Sequence, residues 1–536
     1  MVSLASLRAA RVRSGMRTPA PPAWLVGAGV LVALLGLLPV AYLVILAGSS
    51  EDAASLVLRD RTLGVLGRTL LLAAIVTTAS IVLGVPVAWL TARSDLPGRR
   101  AWTILTLVPL VVPSYVGGYA VVATFGPRGA LQSLLEPLGV DRLPDLYGLP
   151  GAALALTLFS FPYVVLSVRG TFLRLDPAFE EVSRSLGRGP WRTFLTVTLP
   201  QLRPAITSGA LLVALYSLAD FGAVSLLQFD SFTRAIYVQY RSSFDPTLAA
   251  VLALMLVACT AGVLVAEARL RGRGRYHRSG GGAARPAAVV ALGPWRWPAL
   301  AFLTLLVGLA VVVPVGTIGF WLVRGLGTGE TFAPVWGAAF NSVAASGLAA
   351  VLAVLASIPV AVLAVRHRGF VATLVERGSY AGFALPGIVI GLALVFVAAR
   401  YLPWMYQTLP LLLVAYLIRF VPEAVGVTRA SLLQVSPRLE EVARTLGRSP
   451  GSVLRHVTLP IIRPGLVAGG ALVFLTAMKE LPTTILLAPT GFDTLAVRIW
   501  SATSEGFFAR AAPPALLMVL VAAASLWFVL RQERGR

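Results

Sequence analysis

Apolar runs long enough to cross a lipid bilayer recur along this 536-residue chain, each closed off by a short polar segment. In hydrocarbon a backbone must satisfy its own hydrogen bonds, which leaves helices and closed barrels, and about 20 consecutive apolar residues make a helical span. Twelve stretches meet that requirement: 23–47, 66–92, 101–125, 150–170, 204–227, 247–269, 297–323, 338–365, 379–400, 408–428, 464–488 and 511–530. The expected fold is all-α, a polytopic membrane protein with about twelve transmembrane helices. Composition agrees, because 57% hydrophobic and 13% charged residues leave too little charge to cover a soluble surface of this size. Prolines inside several runs (Pro86, Pro113, Pro162, Pro359, Pro386, Pro422) are compatible with spanning helices, whose neighbours can re-satisfy the freed backbone groups.

The net charge of +22 raises a nucleic-acid partner, but the arginines sit in short segments beside the apolar runs. That placement is the positive-inside pattern, so nucleic acid is set aside. Arginine-rich segments comprise the N-terminus (Arg8, Arg11, Arg13, Arg17), Arg93/Arg99/Arg100, Arg269 through Arg278, Arg366/Arg368/Arg377 and Arg531/Arg534/Arg536. They predict that both termini and the arginine-rich segments between them are cytoplasmic. The N-terminus imitates a signal peptide, but its apolar part from Ala23 to Ala47 is too long for one and reads as a first span. Cys259 is alone, and His277, His367 and His456 fall in separate polar segments, so neither a disulfide nor a metal site is expected. The single lysine, Lys479, lies in an apolar stretch, which excludes a phosphate-binding G-x-x-x-x-G-K-[ST] loop. No cofactor is expected on this chain; ATP, if used, belongs to a partner.

Two polar segments about 260 residues apart repeat one another without a gap: PAFEEVSRSLGRGPWRTFLTVTLPQLRP at 177–204 and PRLEEVARTLGRSPGSVLRHVTLPIIRP at 437–464. Residues 68–93 and 341–366 also align, with Pro86 on Pro359. The chain therefore reads as two six-span halves, 1–270 and 295–536, joined by an Arg/Gly/Ala-rich flexible linker at 271–294. Six is even, so the halves form a parallel repeat about an axis along the membrane normal. Loops 171–203 and 430–463 carry the repeated segment on the arginine-rich side.

Each repeated segment reads as two short helices. Asp176-Pro177 and Ser436-Pro437 supply an N-cap and a first-turn proline, and Glu180, Glu181, Glu440 and Glu441 complement the helix dipole. Gly187 and Gly447 can end the first helix in a left-handed residue. Gly189-Pro190 and Ser449-Pro450 restart it; Leu199-Pro200 and Leu459-Pro460 are expected to stop it before the next span. Val182, Leu186, Val442 and Leu446 recur at helical spacing and need a surface to bury against.

Here the chain resembles a known family. Glu181-Val182-Ser183, Gly187 and Val197-Thr198-Leu199-Pro200 fit the E-A-A-x3-G-x9-I-x-L-P loop of ABC importer permeases. Glu441-Val442-Ala443, Gly447 and Val457-Thr458-Leu459-Pro460 fit it again. The departures are Val182 and Ser183 for two alanines and Val442 for one. The two-half layout, Asp220-Phe221-Gly222, residues 232–240, Lys479-Glu480-Leu481-Pro482 and residues 490–505 are similar to fused ferric-iron permeases. Fused thiamine permeases share the layout, which leaves thiamine as the alternative cargo. The resemblance implies two cytoplasmic ABC ATPase subunits on the repeated loops and a periplasmic or lipid-anchored binding protein outside. It also implies that this chain is a multi-pass transport subunit of a bacterial inner membrane and not an enzyme.

Asp220 and Glu480 occupy equivalent positions, about 16 residues past Pro204 and Pro464, or roughly 24 Å along a helix. A carboxylate at bilayer depth costs on the order of 2.5–3.5 kcal/mol and normally faces protein or water. Two readings stand: both line the translocation path together with the neighbouring Lys479, or both stabilise helix contacts with Lys479 offsetting one charge. Glu423 is matched by Tyr163 and reads as structural. A secondary transporter of the major-facilitator type has a similar span count, but it does not account for the duplicated loop, and residues 91–101 lack that group's G-x-L-x-D-R motif.

Overall fold

The computed structural model describes residues 21–49, 53–127, 129–140, 143–242, 246–270, 289–330, 334–367 and 369–534. Among these, nine helices are long and apolar enough to cross a membrane, or eleven if each of two broken pairs counts as one span. The N-terminal arginines and residues 271–288 of the expected linker lie outside the described residues. The segment expected at 511–530 falls in helix Phe508–Arg534, whose described side chains form the apolar stretch Phe508–Ala524.

Two of the expected spans are broken pairs of helices. The run at 101–125 becomes helices Arg99–Leu105 and Ser114–Phe125 with Pro113 extended between them, the segments Arg99–Leu110 and Ser114–Leu138 meeting at 94°. Proline pushes its predecessor out of the helical region, and its own missing N–H is best placed at a helix start. Pro386 divides Phe370–Tyr380 from Gly387–Tyr401 in the same way. Pro86 and Pro359, by contrast, lie inside unbroken helices Asp60–Arg93 and Val335–Arg366.

The chain divides into two compact units that do not follow the order of the halves. The larger comprises Pro39–Gly347, Ala384–Tyr416 and the residues from Leu475 on. At its centre, helices Asp60–Arg93, Leu149–Phe172 and Leu199–Ala219 pack closely enough to exclude side chains. A Cβ on Gly84 would stand 2.8 Å from Val164 Cβ, and one on Gly209 would stand 2.9 Å from Val164 Cα. Small residues let membrane helices approach where no hydrophobic effect drives them together. Around this bundle, Tyr115, Tyr119, Phe161, Phe172, Phe221 and Phe232 are fully buried.

Segments from both sequence halves meet inside this unit. Trp321 Nε1 donates to the Ala123 carbonyl at 3.1 Å, Tyr119 OH to the Phe508 carbonyl at 3.1 Å, and Trp500 Nε1 to Ser225 Oγ at 2.7 Å. Each gives an aromatic polar group its required partner away from water.

The smaller unit holds residues up to Leu38, Leu348–Phe383 and Leu417–Phe474. Its core under the second repeated loop is Leu432, Val435 and Ile462, flanked by Val362, Val365, Leu459 and Leu466. Ser357 and Thr428 hydroxyls pair at 2.9 Å within it. In both units leucine, isoleucine and valine side chains such as Leu34, Leu71, Val82, Val351 and Leu355 point outward, as a lipid-facing surface requires.

Candidate functional site

The repeated segments fold alike. In the first, helix Ala178–Ser185 follows Asp176, whose Oδ1 accepts the Ala178 N–H at 3.0 Å. In the second, helix Pro437–Thr445 starts at Ser436, which makes no side-chain cap, a departure from the expected symmetry. Both helices end in the same reverse turn. Gly187 has φ +79° and Gly447 +80°, the left-handed conformation that costs other residues energy. Gly187 N bonds the Arg184 carbonyl and Arg188 N that of Ser183; Gly447 N and Arg448 N bond Arg444 and Ala443 in the same pattern. These paired bonds satisfy the last carbonyls of the helix.

The chain then re-enters helix at Pro190 and at Pro450. Contrary to expectation, Leu199-Pro200 and Leu459-Pro460 do not stop it. One continuous helix runs Pro190–Ala219 in the first copy and Pro450–Met478 in the second. A wide π-turn precedes each proline, at Phe194–Thr198 and Leu454–Thr458. Its i→i+5 pattern gives the Leu199 N–H to the Phe194 carbonyl, so one residue is absorbed and the prolines fall where the ladder has already been re-spaced. The loop is thereby continuous with a spanning helix, and displacement of one end is carried by the other.

The glutamate pairs separate into different roles. Glu180 and Glu440 turn inward. Arg93, at the end of helix Asp60–Arg93, places Nη2 2.5 Å from Glu180 Oε2, and Thr198 Oγ1 donates to Glu180 Oε1 at 2.9 Å. In the second copy, Arg366 Nη2 stands 3.0 Å from Glu440 Oε1, and Thr458 Oγ1 donates to the same oxygen at 3.1 Å. Arg366 also donates to the carbonyls of Leu432 and Val435. The Arg93 side chain is 4% exposed and that of Glu440 7%, so these ion pairs are largely removed from water. Both carboxylates accept a second hydrogen bond from a threonine hydroxyl, which helps make such burial tolerable, while Arg93 Nη1 has no partner among the described residues.

Glu181 and Glu441 instead face outward, beside Val182, Leu186, Val442 and Leu446. Leu186 is 72% exposed and Leu446 78%. Each loop helix thus presents an apolar ridge with an acid at its edge, while its other face is clasped to the chain.

The clasp residues Arg93, Arg366, Thr198 and Thr458 were not singled out as site residues from the sequence. A signal was present: both arginines close the aligned stretches 68–93 and 341–366, and both threonines sit in the shared V-T-L-P. Arginine at a span end is so readily explained by membrane topology that its pairing stays hidden.

Asp220 and Glu480, both in the larger unit, lie at breaks in their helices and are buried to 7% and 9% exposure. Helix Leu199–Ala219 ends, Asp220 is extended, and Gly222–Leu226 begins; Asp220 Oδ1 accepts the Ala223 and Val224 N–H groups at 3.0 and 3.2 Å. Glu480 Oε1 likewise accepts the Thr483 N–H at 3.2 Å and its hydroxyl at 2.5 Å, ahead of helix Pro482–Leu487. The backbone carbonyls match as well, Thr233 Oγ1 donating to Asp220 O and Thr484 Oγ1 to Glu480 O. Each carboxylate therefore caps a short helix at membrane depth, where its charge meets unpaired N–H groups. Lys479 Nζ donates to the Leu110 carbonyl at 2.9 Å, next to the break at Pro113.

A membrane-embedded, all-helical chain with one loop-and-span unit built twice has the form of a two-half permease. The chain belongs to the family of binding-protein-dependent transport system inner membrane components, which matches it twice, at residues 80–273 and 353–535. It is 36% identical over 93% of its length to the Fe(3+)-transport system permease protein FbpB 2 of Haemophilus influenzae, covering 96% of that protein. Identity to the ferric transport system permease protein FbpB of Actinobacillus pleuropneumoniae is 24% over 87% of the chain and 70% of that protein. The molybdenum transport system permease protein ModB of Azotobacter vinelandii is 32% identical over 34% of the chain and 80% of its own length. The two family matches correspond to the two halves of one fused, multi-pass inner-membrane transport subunit.

Proposed function

We propose that this chain forms the translocation path of an ATP-driven importer of ferric iron and is moved by two ATPase subunits that grip its two repeated loops. The single observation that carries the coupling is the duplicated clasp. A loop helix is locked by Arg93–Glu180 or Arg366–Glu440 to the end of a second span, and is continuous through a π-turn with another. A partner seated on the exposed ridge of Val182 and Leu186, or of Val442 and Leu446, would therefore pull on two spans at once. The clasped geometry transmits force because neither attachment depends on a flexible tether.

Ferric iron as cargo rests on the extensive likeness to a Fe(3+)-transport permease. A binding protein delivers the cargo outside, and the loops and termini lie in the cytoplasm, as their arginine flanks favour. The helix breaks at Asp220 and Glu480 border the path, since non-helical backbone at bilayer depth is tolerated only inside protein or along a cavity.

The test is reconstitution. The chain, purified with its ATPase and supplied with binding protein, should take radioactive ferric iron into proteoliposomes only with ATP, and excess thiamine should not compete. Retention of ATPase with competition by thiamine would keep the class and replace the cargo. Uptake driven by an ion gradient without any ATPase would overturn the reading.

A further inference from the structure

At the loop-bearing end of the first bundle a small cavity of about 150 Å³ opens between three helices. It is lined by Thr91 from helix Asp60–Arg93, by Arg99, Arg100 and Thr103 from helix Arg99–Leu105, and by Arg169 and Leu173 from the end of Leu149–Phe172. The volume is several times the ~30 Å³ share of one water. Three arginines line it, of which Arg99 also donates through Nη1 to the Ser94 carbonyl at 3.4 Å, and none of the lining residues is a carboxylate. Among the described residues, the buried Arg169 Nε has no hydrogen-bond partner. A buried donor left unpaired costs free energy, more so when it is charged.

The second half shows what the first half lacks. Arg429 stands to Arg169 as Glu440 stands to Glu180, and Glu376 stands to Thr103 as Pro386 stands to Pro113. Arg429 Nε lies 3.2 Å from Glu376 Oε1, so that half neutralises the charge of its own arginine by an ion pair, although Arg429 Nε, like Arg169 Nε, makes no well-aligned hydrogen bond. In the first half the carboxylate is replaced by Thr103, and alanine and threonine (Ala372, Thr373) are replaced by Arg99 and Arg100. One copy carries its anion in the chain; the other has removed that anion and added two positive charges around the same arginine.

We propose that the Arg99/Arg100/Arg169 cavity binds a phosphate-type oxyanion that takes the place of the carboxylate supplied by Glu376 in the second half. Guanidinium forks can donate in pairs to the oxygens of such an anion, and the Thr103 hydroxyl, which already donates to the Arg99 carbonyl at 2.8 Å, leaves those contacts to the arginines. The group could be presented by an anionic phospholipid headgroup, since basic pockets between spanning helices bind such headgroups, or by free phosphate. Both sources offer the same chemistry to the cavity.

The test uses the full chain in neutral detergent, with two titrations: phosphatidylglycerol against phosphatidylcholine in mixed micelles, and inorganic phosphate against chloride at constant ionic strength. Binding is read by native mass spectrometry and by the rise in thermal midpoint. Wild type should show one saturable site in one arm, which identifies the source. Thr103→Glu, which supplies the carboxylate internally, should abolish the midpoint rise while leaving the ligand-free midpoint at or above that of wild type. Arg169→Gln should weaken binding roughly tenfold to a hundredfold, the range for losing a charged hydrogen bond. Binding in neither arm, or equal binding by wild type and both variants, overturns the proposal.

Discussion

Removing Arg93 tests whether the loop helix is clasped or merely adjacent. Arg93→Ala would leave the Glu180 carboxylate with Thr198 and the distant Arg184, whose Nη2 is 4.0 Å away and half exposed. Breaking a buried ion pair by deleting one partner costs about 3–5 kcal/mol. The Glu180 side chain is 15% exposed and can recover some hydration, which argues for the lower figure, about 3 kcal/mol. At 1.4 kcal/mol per factor of ten, the open state of the loop should become roughly 100-fold more populated. Hydrogen exchange of the amides in 178–188, measured in micelles, should lose protection by that factor, while exchange in the equivalent segment 438–448 stays unchanged. Glu180→Gln and the double variant complete a cycle, and a coupling energy of about 2 kcal/mol or more is expected for a pair this close. In proteoliposomes the single variant should hydrolyse ATP with less uptake per turnover. Exchange within a few-fold of wild type, or additive single effects, would refute the clasp and with it the rigid transmission of force.

Other expectations follow from the same geometry. Gly447→Ala should cost about 1–2 kcal/mol of loop stability by thermal unfolding, from the left-handed backbone alone, because a Cβ there meets nothing within 4 Å; Gly447→Asn should cost less. Leu186→Asp with Leu446→Asp should leave the thermal midpoint within a degree or two, since both side chains are exposed. ATPase retention on co-purification should fall at least ~100-fold, because covering each exposed leucine with a partner is worth roughly 1.5–3 kcal/mol. Asp220→Asn and Glu480→Gln keep an oxygen for the Ala223 and Thr483 N–H groups, so assembly should persist. Ferric uptake should drop at least ~10-fold if the charges serve the cargo, and unchanged uptake would reduce both residues to helix caps.

Gly187 and Gly447 were legible in the sequence because a left-handed helix end has a local signature, and the paired glutamates because they recur. The distinction between Glu180 and Glu181 was not. Adjacent residues on a short helix point in different directions, and which one meets an arginine is settled by where a distant span ends. The prolines misled for a related reason. Pro200 and Pro460 read as stops, yet a π-turn carries the helix through them; Pro113 and Pro386 lie in apolar runs that read as continuous, yet break them. Whether a proline breaks a helix depends on whether neighbouring turns can re-space their bonds, and that is a property of packing.

The sequence by itself determined the solvent, the secondary structure and the duplication. Hydropathy requires backbone groups to be satisfied within each segment, and repetition survives in the letters. Only the tertiary structure decided which charges are paired. It placed Arg93 on Glu180 and left Arg169 without an acid, although each is simply an arginine near the end of an apolar run. The pairing of charges depends on distances of a few ångströms between helices that are scores of residues apart in the chain, and no local pattern encodes those distances.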